Sequence, residues 1–213
     1  MSKPFTNSRA ALAAPLLAGL LIGLLQGCAS PGGGSGAPAE AASGSATQDA
    51  SAIPEVRGDN ARAFATAIEA LQAGRLAEAE ALLLEITEDQ PELAGPWINL
   101  SEVYLARGHD DEARAALSRA VAANPRNCVA RTQLGVLLRR QGDFAEAESQ
   151  YRACLEALPD YQPAYLNLGI LYELYLGRLE DALEAYRGYQ RLAAEPDARV
   201  AGWVMDLERR LGV

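Results

Sequence analysis

The chain has 213 residues, enough for one domain of modest size in addition to its two ends, and 49% of them are apolar and 22% charged. Its formal net charge of -9 argues against a nucleic-acid partner, because such binding needs clustered Lys and Arg to neutralise phosphates. An acidic surface instead suits solubility and basic partners.

The amino-terminal segment has the plan of an export signal. Residues 1–10 contain Lys3 and Arg9 and no acid, and residues 11–25 form an apolar run. This run is shorter than the roughly 20 residues that a helix needs to cross a bilayer. We therefore expect a cleaved signal and no permanent transmembrane anchor.

The four residues Leu25-Gln26-Gly27-Cys28 resemble the lipobox of bacterial lipoproteins, although Gln26 departs from the favoured residue types. The resemblance implies that residues 1–27 are removed as a lipoprotein signal peptide and that Cys28 carries the lipid. The alternative is a cysteine buried at the end of an apolar segment. Ala29 stands where Asp retains many lipoproteins in the inner membrane, so the resemblance implies the periplasmic face of the outer membrane.

Residues 28–59 are predicted to form the lipidated cysteine and a flexible tether. From Ser30 to Asp59 the sequence is rich in Gly, Ser, Ala and Pro and has no apolar periodicity. About 30 residues of this kind have a root-mean-square span of about 30 Å and an extended limit near 100 Å. A folded domain beyond them would move within that distance of the membrane.

From residue 60 the sequence repeats with a period of 34 residues, in the rows 60–93, 94–127, 128–161 and 162–196. The fourth row needs one extra residue before Gly177. The second row is the clearest, with Trp97, Leu100, Tyr104, Gly108, Ala113, Leu117, Ala120 and Pro125. These residues and their separations resemble the tetratricopeptide repeat family.

Each row contains two apolar stripes at helical spacing, separated by a turn and followed by a proline. Each row is thus predicted to be a helical hairpin, and hairpins must stack to bury both stripes. The expected fold is all-α: a right-handed solenoid of about four tetratricopeptide hairpins. A capping helix is expected at 197–213, with Val200, Trp203, Val204, Leu207 and Leu211 on its packing side.

Particular residues are expected to determine the packing within this stack. Gly135 and Gly169 are expected to let the two helices of a hairpin approach closely, and Tyr151 to fill space between neighbouring hairpins.

Catalytic and metal-binding patterns are not found in the sequence. The single histidine, His109, lies beside Asp110, Asp111 and Glu112 in a predicted turn, where consecutive residues do not converge on one ion. A solvated turn is the simpler interpretation. We predict no enzyme activity, no metal site and no cofactor.

Cys128 and Cys154 are candidates for a disulfide if the chain is exported to an oxidising compartment. Facing positions of an antiparallel hairpin have a constant sum of residue numbers, and the two cysteines give the same sum as Gly135 with Ala147. The alternative is that Cys154 only replaces the small residue of its column and that Cys128 is incidental.

The family resemblance implies a concave groove, lined by the first helix of each hairpin, that binds a protein or peptide partner. The corresponding positions in this chain are Phe64, Ile68, Ile98, Asn99, Glu102, Leu105, Thr132, Gln133, Val136, Arg139, Arg140, Leu166, Asn167, Ile170 and Glu173. The Lys and Asn set with which chaperone-binding members clamp a terminal carboxylate is not reproduced.

Asn99, Gln133 and Asn167 recur in one column of the repeat. Their amides could bond the backbone of a bound segment, or they could satisfy neighbouring helix ends.

The two resemblances together predict a scaffold or assembly adaptor of the cell envelope, tethered to the outer membrane. Lipoproteins of this repeat type help to build pili and secretins, organise wall hydrolases or accompany energy-transducing complexes. The alternative is a structural lipoprotein that only self-associates and has no dedicated peptide ligand.

Overall fold

The computed structural model describes residues 56–213. The predicted signal peptide, Cys28 and most of the predicted tether lie outside the described residues. The helices in the described part are α1 Asp59–Gln72, α2 Leu76–Asp89, α3 Ala94–Ala106, α4 Asp110–Ala123, α5 Cys128–Gln141, α6 Phe144–Ala157, α7 Gln162–Leu171, α8 Leu179–Leu192 and α9 Ala198–Leu211.

The helices form four antiparallel hairpins, α1 with α2, α3 with α4, α5 with α6 and α7 with α8. Each second helix also packs against the first helix of the next hairpin, and α8 packs against α9 in the same way. The predicted all-α solenoid is confirmed for this part of the chain. Within residues 56–213, no helix has both the length and the apolar character needed to cross a membrane.

Glycine ends the first helix of the regular hairpins because the backbone turns there with positive φ, as at Gly108 and Gly142. The residue after the glycine donates its N–H to a carbonyl five positions earlier. His109 bonds the carbonyl of Tyr104, and Asp143 bonds that of Leu138, each at 2.9 Å. The two helices of each hairpin therefore start from a turn of the same geometry.

The fourth hairpin differs at this turn. Between α7 and Gly177, residues Tyr172–Leu176 form a single π-helical turn. Arg178 donates its N–H to the carbonyl of Tyr172 at 2.9 Å, a separation of six positions instead of five. The π turn therefore absorbs the extra residue of the fourth row while leaving the closing bond in place.

Glycines in the hairpin cores face tyrosine rings. A Cβ atom at Gly135 would overlap the ring of Tyr151, and one at Gly169 would overlap that of Tyr186. Tyr151 is fully buried and belongs to a core cluster that also contains residues of the second and fourth hairpins. The space that a side chain would take at each of these glycines is therefore filled by a ring from the second helix of the same hairpin.

Helix α9 packs on α8 through Val200 and Leu207, two buried residues that lie two helical turns apart. Asp197 caps the start of α9 by accepting the backbone N–H groups of Arg199 and Val200. Trp203 was expected on the packing side, but it is 38% exposed. Its ring lies beside Tyr186, with centroids 5.3 Å apart.

Candidate protein-binding groove

The first helices of the hairpins line the inner surface of the solenoid. Helix α1 contacts α3 and α5 contacts α7, whereas within residues 56–213 successive second helices do not pack together to the same extent. A stack in which one set of helices is closer together is curved toward that set. The surface of α1, α3, α5, α7 and the start of the π turn is here called the groove.

Several predicted groove residues are half-buried on this surface, as expected for side chains that support a binding site. They are Phe64, Ile68, Asn99, Glu102, Gln133, Val136, Arg139, Asn167 and Ile170. Ile98 is an exception, since it is only 9% exposed and packs with Ala94, Ala120 and Ala130. Thr132 is buried as well. Both side chains belong to the interior because their column faces the next hairpin, so their assignment to the groove surface was wrong.

Asn99, Gln133 and Asn167 form the recurring column of amide side chains, here called the amide column. Two of the three donate hydrogen bonds to backbone carbonyls of their own helices. Asn99 donates to the carbonyl of Gly95, and Asn167 donates to that of Pro163, each at 2.9 Å and each one turn earlier in the same helix. Neither bond reaches a neighbouring helix end, as one of the two interpretations required. Gln133 instead donates across the groove to Glu102 at 3.3 Å and joins α5 to α3.

Arg139 occupies the middle of the groove, on α5. Its guanidinium carbon lies 5.6 Å from the centre of the Tyr175 ring, within the range of a cation–π contact. Tyr175 belongs to the π turn and also packs against Phe144, with ring centroids 5.2 Å apart. The π turn therefore brings an aromatic ring over a charged groove residue.

An acid and an arginine from later elements close this part of the groove. Tyr186 donates its hydroxyl to Glu173 at 3.0 Å, and the other oxygen of Glu173 pairs with Arg210 of α9 at 3.1 Å. Burial raises the pKa of Tyr186, and its bond to Glu173 adds to that rise. Glu173 thus joins the π turn to α8 and α9 as a positioned carboxylate.

The contribution of α9 to the groove was missed from the sequence. Gly212 ends this helix with positive φ, as Gly142 ends α5, so α9 resembles the first helix of an incomplete fifth hairpin. When Gly212 is aligned with Gly142, Trp203 occupies the position of Gln133 in the amide column, and Arg210 lies at the edge of the groove. After row three the chain contains two residues more than the 34-residue period allows. They shift α9 out of register and so hid its likeness to a first helix in the sequence.

Two other predicted features lie outside the groove. His109 is exposed in the turn before α4, where its ring lies over Tyr104 at 6.4 Å, and no group of potential metal ligands occurs among the described residues. Cys128 and Cys154 form a disulfide in the structure, with Cα atoms 4.8 Å apart. It joins the first residue of α5 to the last turn of α6; whether it forms in the cell stays a prediction.

Comparison with known families identifies the repeats. Residues 70–131 and 132–198 match two family models, each described as tetratricopeptide repeat, and the matches together cover more than half of the chain. The chain belongs to the tetratricopeptide repeat family. Tetratricopeptide domains bind peptide or protein partners, and they typically serve as non-catalytic scaffolds for protein interactions.

Curated relatives share the repeat but are much longer proteins. Superkiller complex protein 3 of Mus musculus is 27% identical over 140 residues, which is 62% of this chain and 9% of the relative. The human protein of the same name is 29% identical over 116 residues, 54% of this chain and 7% of the relative. The chain thus spans less than a tenth of these relatives.

Solved tetratricopeptide structures are similar in fold. PilF of Pseudomonas aeruginosa has a TM-score of 0.63 and 21% identity, covering 72% of this chain and 69% of its own. MamA of Desulfovibrio magneticus has a TM-score of 0.61 and 20% identity, with coverages of 73% and 87%. The first repeat domain of Spaghetti (RPAP3), bound to an HSP90 peptide, has a TM-score of 0.51 and 23% identity, with coverages of 56% and 96%.

Proposed function

We propose that this protein is a lipid-anchored interaction scaffold of the cell envelope, whose groove binds a segment of a partner protein. The observation that carries the proposal is the groove itself: half-buried apolar side chains such as Val136 and Ile170 alternate there with polar groups. The RPAP3 domain, bound to a peptide, supplies a precedent for the fold. The partner would be a component of an envelope assembly such as a pilus or secretin, a wall-hydrolase system or an energy-transducing complex.

The lipobox residues support the location. Acylated Cys28 would hold the protein at the periplasmic face of the outer membrane, and residues 28–59 would supply the slack for the groove to reach a partner. The Cys128–Cys154 disulfide is of a kind that persists in oxidising compartments outside the cytosol.

Crosslinked capture from whole envelopes tests the groove. The bait is the full chain, compared with the double variant Val136→Lys, Ile170→Lys and with Val121→Lys, which makes the same change at a half-buried position of the second helix α4. Partners captured by the wild type and by Val121→Lys, but not by the groove variant, support the proposal. Equal capture by all three proteins contradicts it.

Fatty-acid labelling tests the anchor separately. Cys28→Ser should abolish labelling and leave the signal peptide uncleaved, while Cys128→Ser should leave both unchanged. Labelling that survives Cys28→Ser would refute the lipid assignment. Light scattering of the purified protein addresses the alternative of passive self-association, which requires a stable oligomer in the absence of other proteins.

A further inference from the structure

Buried hydrogen-bond donors without an acceptor are concentrated around Arg139. Its Nε and Nη1 atoms and the hydroxyl of Tyr151 are buried, and none of them has a hydrogen-bond partner within residues 56–213. Gly135 and Arg139 are one turn apart on the same face of α5, and the Tyr151 ring occupies the space beside Gly135. Burial raises the pKa of Tyr151 to about 12, so its hydroxyl keeps its proton at neutral pH.

The neighbouring carboxylate, that of Glu173, does not accept hydrogen bonds from Arg139 or Tyr151. Glu173 occupies the same column of the repeat as Arg139, one hairpin later, but one of its oxygens accepts from Tyr186 and the other pairs with Arg210. A buried donor left without an acceptor destabilises the protein, and the penalty is greater when the group is charged. Three donors in this part of the groove are therefore without an acceptor, and an anionic acceptor would suit the arginine best.

The π turn supplies the wall beside this site. Tyr175 lies over the Arg139 guanidinium and is 46% exposed, while the adjacent Leu174 is 68% exposed. Val136 is half-buried one turn before Arg139. A cation with apolar surface on two sides favours an acid that is flanked by an apolar residue.

We propose that the partner segment places an internal Asp or Glu side chain against Arg139, with a neighbouring apolar side chain on Val136 or on Leu174 and Tyr175. The inference rests on the proposed function of the groove and specifies the chemistry of its partner. A carboxylate accepts a charge-assisted hydrogen bond from arginine, and Nη2 of Arg139, which is not among the buried nitrogens, offers such a donor at the groove surface. The acid is internal because Arg139 lies on α5, with α1 and α3 before it and α7 after it along the groove, so an extended segment passes it in both directions.

A displayed library of random 12-residue peptides, fused to the carrier through their C-termini, tests the inference on the full chain. Every acid that such peptides offer is internal. We expect selection to enrich Asp or Glu at one position next to an apolar residue. Synthetic copies of the selected peptides should bind about tenfold more weakly when that acid is changed to its amide, as expected for the loss of one charge-assisted contact of about 1.4 kcal/mol.

Variants of the protein assign this difference to Arg139. Arg139→Gln should bind the acid and amide peptides equally, and Arg139→Lys should keep part of the discrimination because it keeps the charge. Arg119→Gln is the matched control, since Arg119 is exposed on the second helix α4, outside the groove; it should keep the tenfold difference. Circular dichroism of each variant checks that the helices are retained.

The outcomes separate the two proposals. Selected peptides that Val136→Lys, Ile170→Lys no longer binds, but that show no preference for an acid, overturn the Arg139 site and leave the groove function standing. Discrimination that persists in Arg139→Gln has the same consequence. Selection of no peptide by the wild type overturns both.

Discussion

The ring of Tyr151 occupies the space that a side chain at Gly135 would need. The same relationship holds between Tyr186 and Gly169 in the next hairpin. Both tyrosines are almost completely buried, so neither ring has solvent to move into. The third and fourth hairpins are thus each packed around a glycine and a ring, in columns where the second hairpin has Ser101 and Leu117.

Adding one methyl group at Gly135 should therefore destabilise the protein. We expect Gly135→Ala to lower the free energy of unfolding by about 1–3 kcal/mol through overpacking, although alanine is the better helix former. Gly202→Ala is the matched control, since that glycine is exposed within α9 and a Cβ would meet nothing within 4 Å. It should raise stability by about 0.5–1 kcal/mol. Urea titration of both variants measures the effects; equal changes would refute the overpacking argument.

The disulfide should stabilise the third hairpin. It closes a loop between residues 26 positions apart, for which the chain-entropy model gives about 3–4 kcal/mol. The double variant Cys128→Ala, Cys154→Ala should therefore unfold at a lower temperature than the oxidised wild type. Adding a reductant should lower the melting temperature of the wild type toward that of the variant and leave the melting temperature of the variant unchanged. A melting temperature of the wild type that is insensitive to the reductant would contradict the prediction.

The π turn should be dispensable for folding. Deletion of Leu174, which is exposed, restores the regular row length and should convert the turn to ordinary α-helix with a change of no more than about 1 kcal/mol. Deletion of Ala106, which is also exposed but lies in a turn of regular length, should cost much more because it rotates the end of α3 out of register. Thermal unfolding of the two deletion variants makes the comparison, and similar losses would show that the extra residue is structurally required.

The sequence was informative about periodicity and less so about which way a side chain faces. The 34-residue period correctly predicted the four hairpins, and the extra residue of row four is visible in the alignment. The column of Ile98 could not be assigned to interior or groove from spacing alone, because it borders both surfaces. Trp203 packs beside Tyr186 of α8 but stays 38% exposed, because the apolar stripe of α9 is wider than the seam formed by Val200 and Leu207.

The site around Arg139 depends on contacts between rows and was therefore not predictable as a unit. Its column suggested a groove position, but the burial of its guanidinium follows from Tyr175, which lies over it only because the π turn shifts the chain by one residue. Tyr151 approaches from the second helix, where its hydroxyl gave no signal in the sequence. These interactions require the packed hairpins to be seen together.

Glu148 should make the stability of the protein depend on pH. Its carboxylate joins α6 to the fourth hairpin by accepting from Tyr172 at 2.8 Å, from Arg152 at 2.9 Å and from Arg178 at 3.0 Å. Burial alone would raise the pKa of Glu148, but these three bonds outweigh it and hold the pKa below its ordinary value. A lowered folded-state pKa means that the stabilisation is fully present above the unfolded pKa of about 4.3 and is lost as the pH falls through the folded value.

Glu148→Gln should therefore cost roughly 1–2 kcal/mol at pH 7, because charge-assisted bonds are replaced by neutral ones. The difference from the wild type should shrink as the pH is lowered from 5 toward 3, since protonation removes the same charge from the wild type. Glu156→Gln, an exposed change on the same helix, should stay within about 0.5 kcal/mol of the wild type. Urea titrations at several pH values provide the measurement, and a difference for Glu148→Gln that is the same at pH 3 and pH 7 would show that its charge does not stabilise the fold.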